Sequence, residues 1–113
     1  MSQPDPPFYY LAYTYSNEKA ARKAYVPLQH IIHEVGCELS AYRFFMLKER
    51  TWYVVVIGET PDPGLHNRLE TILTTLTRGA PVVLERDVLI LLLARRVHQL
   101  QEGTAWKENH YFK

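Results

Sequence analysis

The chain has 113 residues, 47% apolar and 22% charged, which suits one globular domain with its own core and excludes a disordered or fibrous chain. Thirteen basic residues against twelve acidic leave a net charge of +1, so nothing draws the whole molecule toward polyanions. The lone Cys37 excludes an internal disulfide and a four-cysteine metal site, no leader peptide is visible, and the apolar run from Val88 to Ala94 is far shorter than the ~20 residues that span a bilayer. A soluble cytoplasmic protein is the expectation.

Residues 1–7 hold three prolines and read as a loose arm. Residues 8–15, FYYLAYTY, are rich in aromatic side chains and predict a strand. Ser16 or Asn17 can cap a helix, with Glu18 favourably placed in its first turn. Ala20, Ala21, Ala24, Leu28, Ile31, Ile32 and Val35 then share one helical face, and Gly36 ends the run. Pro27 removes a backbone hydrogen bond and crowds the preceding turn, which predicts a kink or a break.

Residues 37–47 and 51–58 are strand-like, with Lys48, Glu49 and Arg50 suited to a hairpin connection. The second run, WYVVVIG, is apolar at odd and even positions alike, so both its faces need cover and it is the central strand. Asp62 as N-cap and Pro63 at the first helical position open a helix striped by Leu65, Leu69, Ile72, Leu73 and Leu76, and Gly79 and Pro81 stop it. Residues 82–84 read as a short strand, and Asp87 as the cap of a last helix within residues 85–103.

That last helix is too apolar for an ordinary surface helix. Leu89, Ile90, Leu93, Ala94, Val97 and Leu100 fall on one arc that suits a core. Val88, Leu91 and Leu92 fall outside the arc, near Arg95 and His98, and need a cover supplied by the chain's own sheet, a second copy or another protein. The tail, residues 106–113, carries Trp106, Tyr111 and Phe112, and aromatic residues at this density are expected to dock on something.

Strand, helix, strand, strand, helix, strand, helix is the order of an α+β, ferredoxin-like βαββαβ sandwich with an antiparallel sheet plus an extra C-terminal helix. The expected organisation is an arm over 1–7, a single α+β domain over 8–105 and an aromatic tail over 106–113. That sandwich leaves one sheet face open, whereas the central strand is apolar on both sides. The last helix or a partner subunit is the missing cover.

Chemistry is weakly signalled. His30, His33, Glu34 and Cys37 have ligand-like spacings, but the histidines lie opposite the apolar stripe and HIIHE is not HExxH, so exposed side chains and no metal are expected. No cofactor motif is present, and the five glycines form no phosphate loop. Tyr9, Tyr13 and Tyr15 share a strand face and Trp52 lies in a faint echo of an RNA-binding signature, which makes base stacking by a ferredoxin-like domain one alternative to core aromatics. Arg43 more often faces outward in such a strand. Turned inward, it would join a tyrosine and a histidine in the pocket of a dimeric α+β barrel enzyme. The leading expectation is a non-catalytic interaction module that self-associates or binds a partner protein through Val88, Leu91, Leu92, Arg95, Trp106, Tyr111 and Phe112.

Overall fold

Branched and aromatic side chains at both parities fit a strand only where it has neighbours on both edges and layers on both faces. A computed structural model, describing residues 8–35, 38–75, 80–102 and 110–112, puts β3, Thr51–Gly58, in that position. It pairs antiparallel with β1, Tyr9–Tyr15, from Tyr9↔Gly58 to Tyr15↔Trp52. On its other edge it pairs antiparallel with β2, Leu39–Met46, from Leu39↔Gly58 to Met46↔Thr51. Strands β1 and β2 are therefore parallel, joined by α1, Glu18–Val35, with β3 inserted between them.

Local chemistry fixes the ends of these elements. The Asn17 side-chain oxygen accepts from the Ala20 N–H at 2.8 Å and opens α1. Asp62 does the same for α2, Pro63–Thr74, accepting from the Leu65 N–H at 2.8 Å, with Pro63 in the first turn. Between β2 and β3 the chain turns through residues 47–50, where the Arg50 N–H donates to the Leu47 carbonyl at 3.3 Å and Arg50 takes a left-handed φ of 53°. At the other end of β3 the backbones crowd. Gly58 has φ 154°, and a Cβ there would lie 2.2 Å from the Glu38 carbonyl oxygen, which accepts from the Glu59 N–H at 2.9 Å.

Because successive strand side chains point to opposite faces, the sheet has two cores. On one face Leu11, Tyr13, Tyr15, Leu39, Ala41, Val54 and Val56 meet Ala21, Ala24, Tyr25 and Leu28 of α1 and Leu65, Leu69 and Leu73 of α2. On the other face Ala12, Tyr42, Phe44, Tyr53, Val55 and Ile57 meet Leu84 together with Val88 and Leu92 of α3, Arg86–Glu102. The last helix is thus the cover that the apolar central strand required. The described residues form an α+β fold of three antiparallel strands, a short parallel strand and three helices.

Several expectations change. Helix α1 runs unbroken through Pro27; Lys23, whose carbonyl the proline leaves without a donor, is exposed, so water can satisfy it. Val35 is exposed rather than part of the core face. Asp87 lies in the first turn of α3 and not at its cap. Residues 82–84 form no strand: the Val82 N–H donates to the Ala12 carbonyl at 2.8 Å beside β1, and no ladder follows. The fourth strand is instead β4, His110–Phe112, at the opposite edge, parallel to β2 from Phe44↔His110 to Met46↔Phe112. Part of the aromatic tail therefore closes the chain's own sheet. Gly36, Cys37, Leu76, Gly79 and Trp106 lie outside the described residues. No helix among the described residues is long and apolar enough to cross a membrane.

Candidate functional site on the outward face of the last helix

Val88, Leu92 and Arg96 stand four residues apart, so they form one ridge along α3. Val88 and Leu92 are inserted in the core of the second sheet face, and Leu89 and Leu93 pack partly against it. At the end of the ridge an Arg96 guanidinium nitrogen donates to the Glu38 carbonyl at 2.9 Å and lies 3.9 Å from the Glu38 carboxylate. Those anchors set the rotation of the helix. Stepping 100° per residue, Val97 then lies half a turn from Val88, and Ile90 and Ala94 fall close to it. Ile90 is 52% exposed, Leu91 48% and Val97 52%, and Ala94 is exposed between them.

The sequence-based face is therefore rotated by roughly a quarter to a third of a turn, with Leu89 and Leu93 kept partly against the core. Ile90, Ala94 and Val97, expected in the core, face outward, whereas Val88 and Leu92, expected at an interface, are held inside the chain. Leu91 does lie outward, and Arg95 is half-buried on the flank. Tyr111 and Phe112 lie in β4, paired through their backbones with Phe45 and Met46. A helix apolar nearly all round carries little rotational information of its own. The side that packs is set by the space the sheet leaves for Val88 and Leu92, with Arg96 held on the Glu38 carbonyl at the end of the same ridge.

The remaining candidate residues serve the fold. Tyr9, Tyr13, Tyr15 and Trp52 all sit on the side of the sheet covered by α1 and α2, so the open aromatic face that base stacking needs is missing. The Tyr15 hydroxyl donates to the Leu73 carbonyl at 2.6 Å, satisfying an end group of α2, and burial raises its pKa. Tyr9 and His66 Nδ1 share a hydrogen bond of 2.7 Å, while His66 Nε2 faces the Glu70 carboxylate at 3.6 Å. The hydrogen bond between Tyr9 and His66 clamps β1 to α2. Burial and Glu70 push the Tyr9 phenol up to about 12.

Arg43 faces inward and is only 1% exposed, against the expectation of an outward side chain. Its guanidinium carbon lies 5.7 Å from the Tyr25 ring centre and 5.6 Å from that of Trp52, with a Glu18 carboxylate oxygen 4.0 Å from Nη1. Two ring faces and a carboxylate suit a buried cation. The histidine of the expected pocket is elsewhere: Arg43 is level with Tyr13 across β3, whereas the Tyr9 and His66 pair lies four residues away along β1, about 13 Å. His30, His33 and Glu34 are exposed on α1, and no group of three metal-ligating side chains occurs among the described residues. One open cleft of ≈310 Å³ separates α1 from α2 between Ile31, Asn67, Arg68 and Ile72. A second, of ≈140 Å³, lies between Tyr53, Glu49, Lys48 and Glu85 at the start of α3, with the Tyr53 hydroxyl donating to Glu49. Comparison of the chain with protein-family models, with curated proteins and with solved structures finds no match.

Proposed function

We propose that the chain is a non-catalytic cytoplasmic interaction module that self-associates or binds a partner protein through the outward face of α3 and its aromatic C-terminal segment. One observation carries this reading: Ile90, Leu91, Ala94 and Val97 make an apolar stripe facing water on a helix whose opposite side is already packed. Leu91 keeps its place among the interface residues. Ile90, Ala94 and Val97 replace Val88 and Leu92, and Arg95 flanks the stripe. The lone cysteine in the sequence favours the reducing compartment.

Magnitudes define how the surface works. Hiding the exposed half of three aliphatic side chains contributes roughly 1 kcal/mol each. Association loses at least about 4 kcal/mol of translational and rotational freedom. The stripe of one copy against a polar surface is therefore insufficient, and Trp106, Tyr111 and Phe112 are proposed as the added anchors. The fold itself is proposed as a ferredoxin-like sandwich whose usual fourth strand is reduced to the Val82 contact beside β1, with the sheet extended at its other edge.

The test contrasts the two sides of α3. Ile90→Asp with Leu91→Asp should keep the wild-type circular dichroism and melting temperature within a few degrees and abolish association measured by sedimentation. Leu92→Asp should prevent folding, because it buries an unpaired carboxylate under the sheet. A folded double variant that associates like the wild type would place the interface elsewhere and end this reading.

A further inference from the structure

We infer that the occupant of the α3 stripe is a second copy of the chain, the two helices packed antiparallel about a two-fold axis at Ala94. The inference rests on the interaction-module reading and narrows it to one partner and one orientation. The stripe is symmetric about its centre in its nearer pair, Leu91 and Val97 each standing three residues from Ala94, while Ile90 is mirrored by His98. A two-fold contact asks for that pattern, since the same patch must complement itself. Reversed on a second copy, Leu91 meets Val97, and the smallest side chain of the stripe meets its own counterpart, where the helices approach most closely.

Charge selects the direction. Exposed Asp87 and His98 lie on the line of the stripe on either side of Ala94, Asp87 in the first turn of α3 and His98 one turn beyond Ala94. In parallel packing Asp87 and His98 would each lie beside its own copy and the two helix dipoles would add. Turned antiparallel about Ala94, Asp87 comes within one helical turn of His98 on the second copy, and the dipoles oppose. A second copy also withdraws twice the apolar area that one stripe offers against a polar surface. One helix pair still falls below the standard interface size, so the dimer is weak and dissociates on dilution.

Cysteine cross-linking of the full-length chain tests partner and orientation together. In a Cys37→Ser background, Ala94→Cys should form a disulfide-linked dimer under mild oxidation, because the axis puts the two positions side by side. Leu91→Cys alone and Val97→Cys alone should not, whereas an oxidised mixture of the two should give the mixed dimer, identified by tagging one of them. Circular dichroism matching the wild type confirms that each variant is folded. Efficient linkage of Leu91→Cys to itself would mean parallel packing and overturn the orientation, leaving the module reading intact. A dimer in sedimentation that none of the three positions links would overturn the α3 contact. A chain monomeric over about a hundredfold range of concentration would overturn the second copy as occupant. The module reading fails separately, if Ile90→Asp with Leu91→Asp leaves every association of the wild type unchanged.

Discussion

Gly58 is the residue with the least room to change. A methyl group at Gly58 would collide with the Glu38 carbonyl oxygen at 2.2 Å, and that oxygen is held by the Glu59 N–H, so neither strand can back away cheaply. Gly58→Ala should lower stability by about 2–4 kcal/mol, measured by denaturant unfolding, from overpacking and an unfavourable φ together. The buried phenols make a second prediction. Burial raises the pKa of Tyr9, Tyr13, Tyr15, Tyr42 and Tyr53, with Tyr9 and Tyr53 reaching about 12, Tyr53 helped by the Glu49 and Glu85 carboxylates. Unfolded tyrosine ionises near 10, so the stability linked to these neutral phenols is whole below pH 10 and drains away as pH rises from there toward 12. These five of the chain's eight tyrosines should ionise only together with unfolding, as seen by ultraviolet absorbance against near-ultraviolet circular dichroism. Complete ionisation just above pH 10 in an intact fold would contradict that burial. Arg43 shows what residue-level reading misses. Strand β2 is apolar at both parities, so alternation could not assign Arg43 to a side, and its ring and carboxylate neighbours come from two other elements, α1 and β3.

Among the elements, α2 was legible because its signals are local: Asp62, Pro63 and the Leu65, Leu69, Leu73 stripe fall where the sequence puts them. Strand β3 was legible for the same reason, its residues demanding cover on both faces. The rotation of α3 was not, since Leu and Val occur all round it and the choice between sides falls to the sheet residues that receive Val88 and Leu92, all distant in sequence. Helix α1 lies between these cases. Its cap and apolar face are local, but Pro27 argues against continuity and the helix runs through it. Tyr25 and Leu28, on either side of Pro27, are buried against the sheet, so tertiary packing outweighs the local penalty. Pro27→Ala should raise stability by up to ~3 kcal/mol, read as a melting temperature several degrees higher. A lower melting temperature would show that Pro27 itself helps seat Tyr25 and Leu28.

At the scale of the whole molecule, order of elements predicted an α+β fold, and pairing geometry decided what order could not. The sequence places a strand at residues 82–84 and a tail at the end; the molecule uses the first as an extended lead into α3 and the second as an edge strand on β2. Both segments are short, so neighbours rather than propensity settle their state. Strand β4 gives three residues of cover to the β2 edge, which would otherwise offer unpaired backbone groups to other chains. The position of α3 at the back of the sheet has a further consequence for the growing polypeptide. Strands β1, β2 and β3 and both front helices leave the ribosome before α3 begins, and the β2 and β3 hairpin can form at once because its contacts are close in sequence. Until Leu92 has emerged, Tyr42, Phe44, Tyr53, Val55 and Ile57 form a bare apolar wall on the nascent chain. The interval between the emergence of β3 and that of Leu92 is thus the one in which a chaperone has most to bind, and a delay there lengthens the exposure of a surface that finished molecules never show.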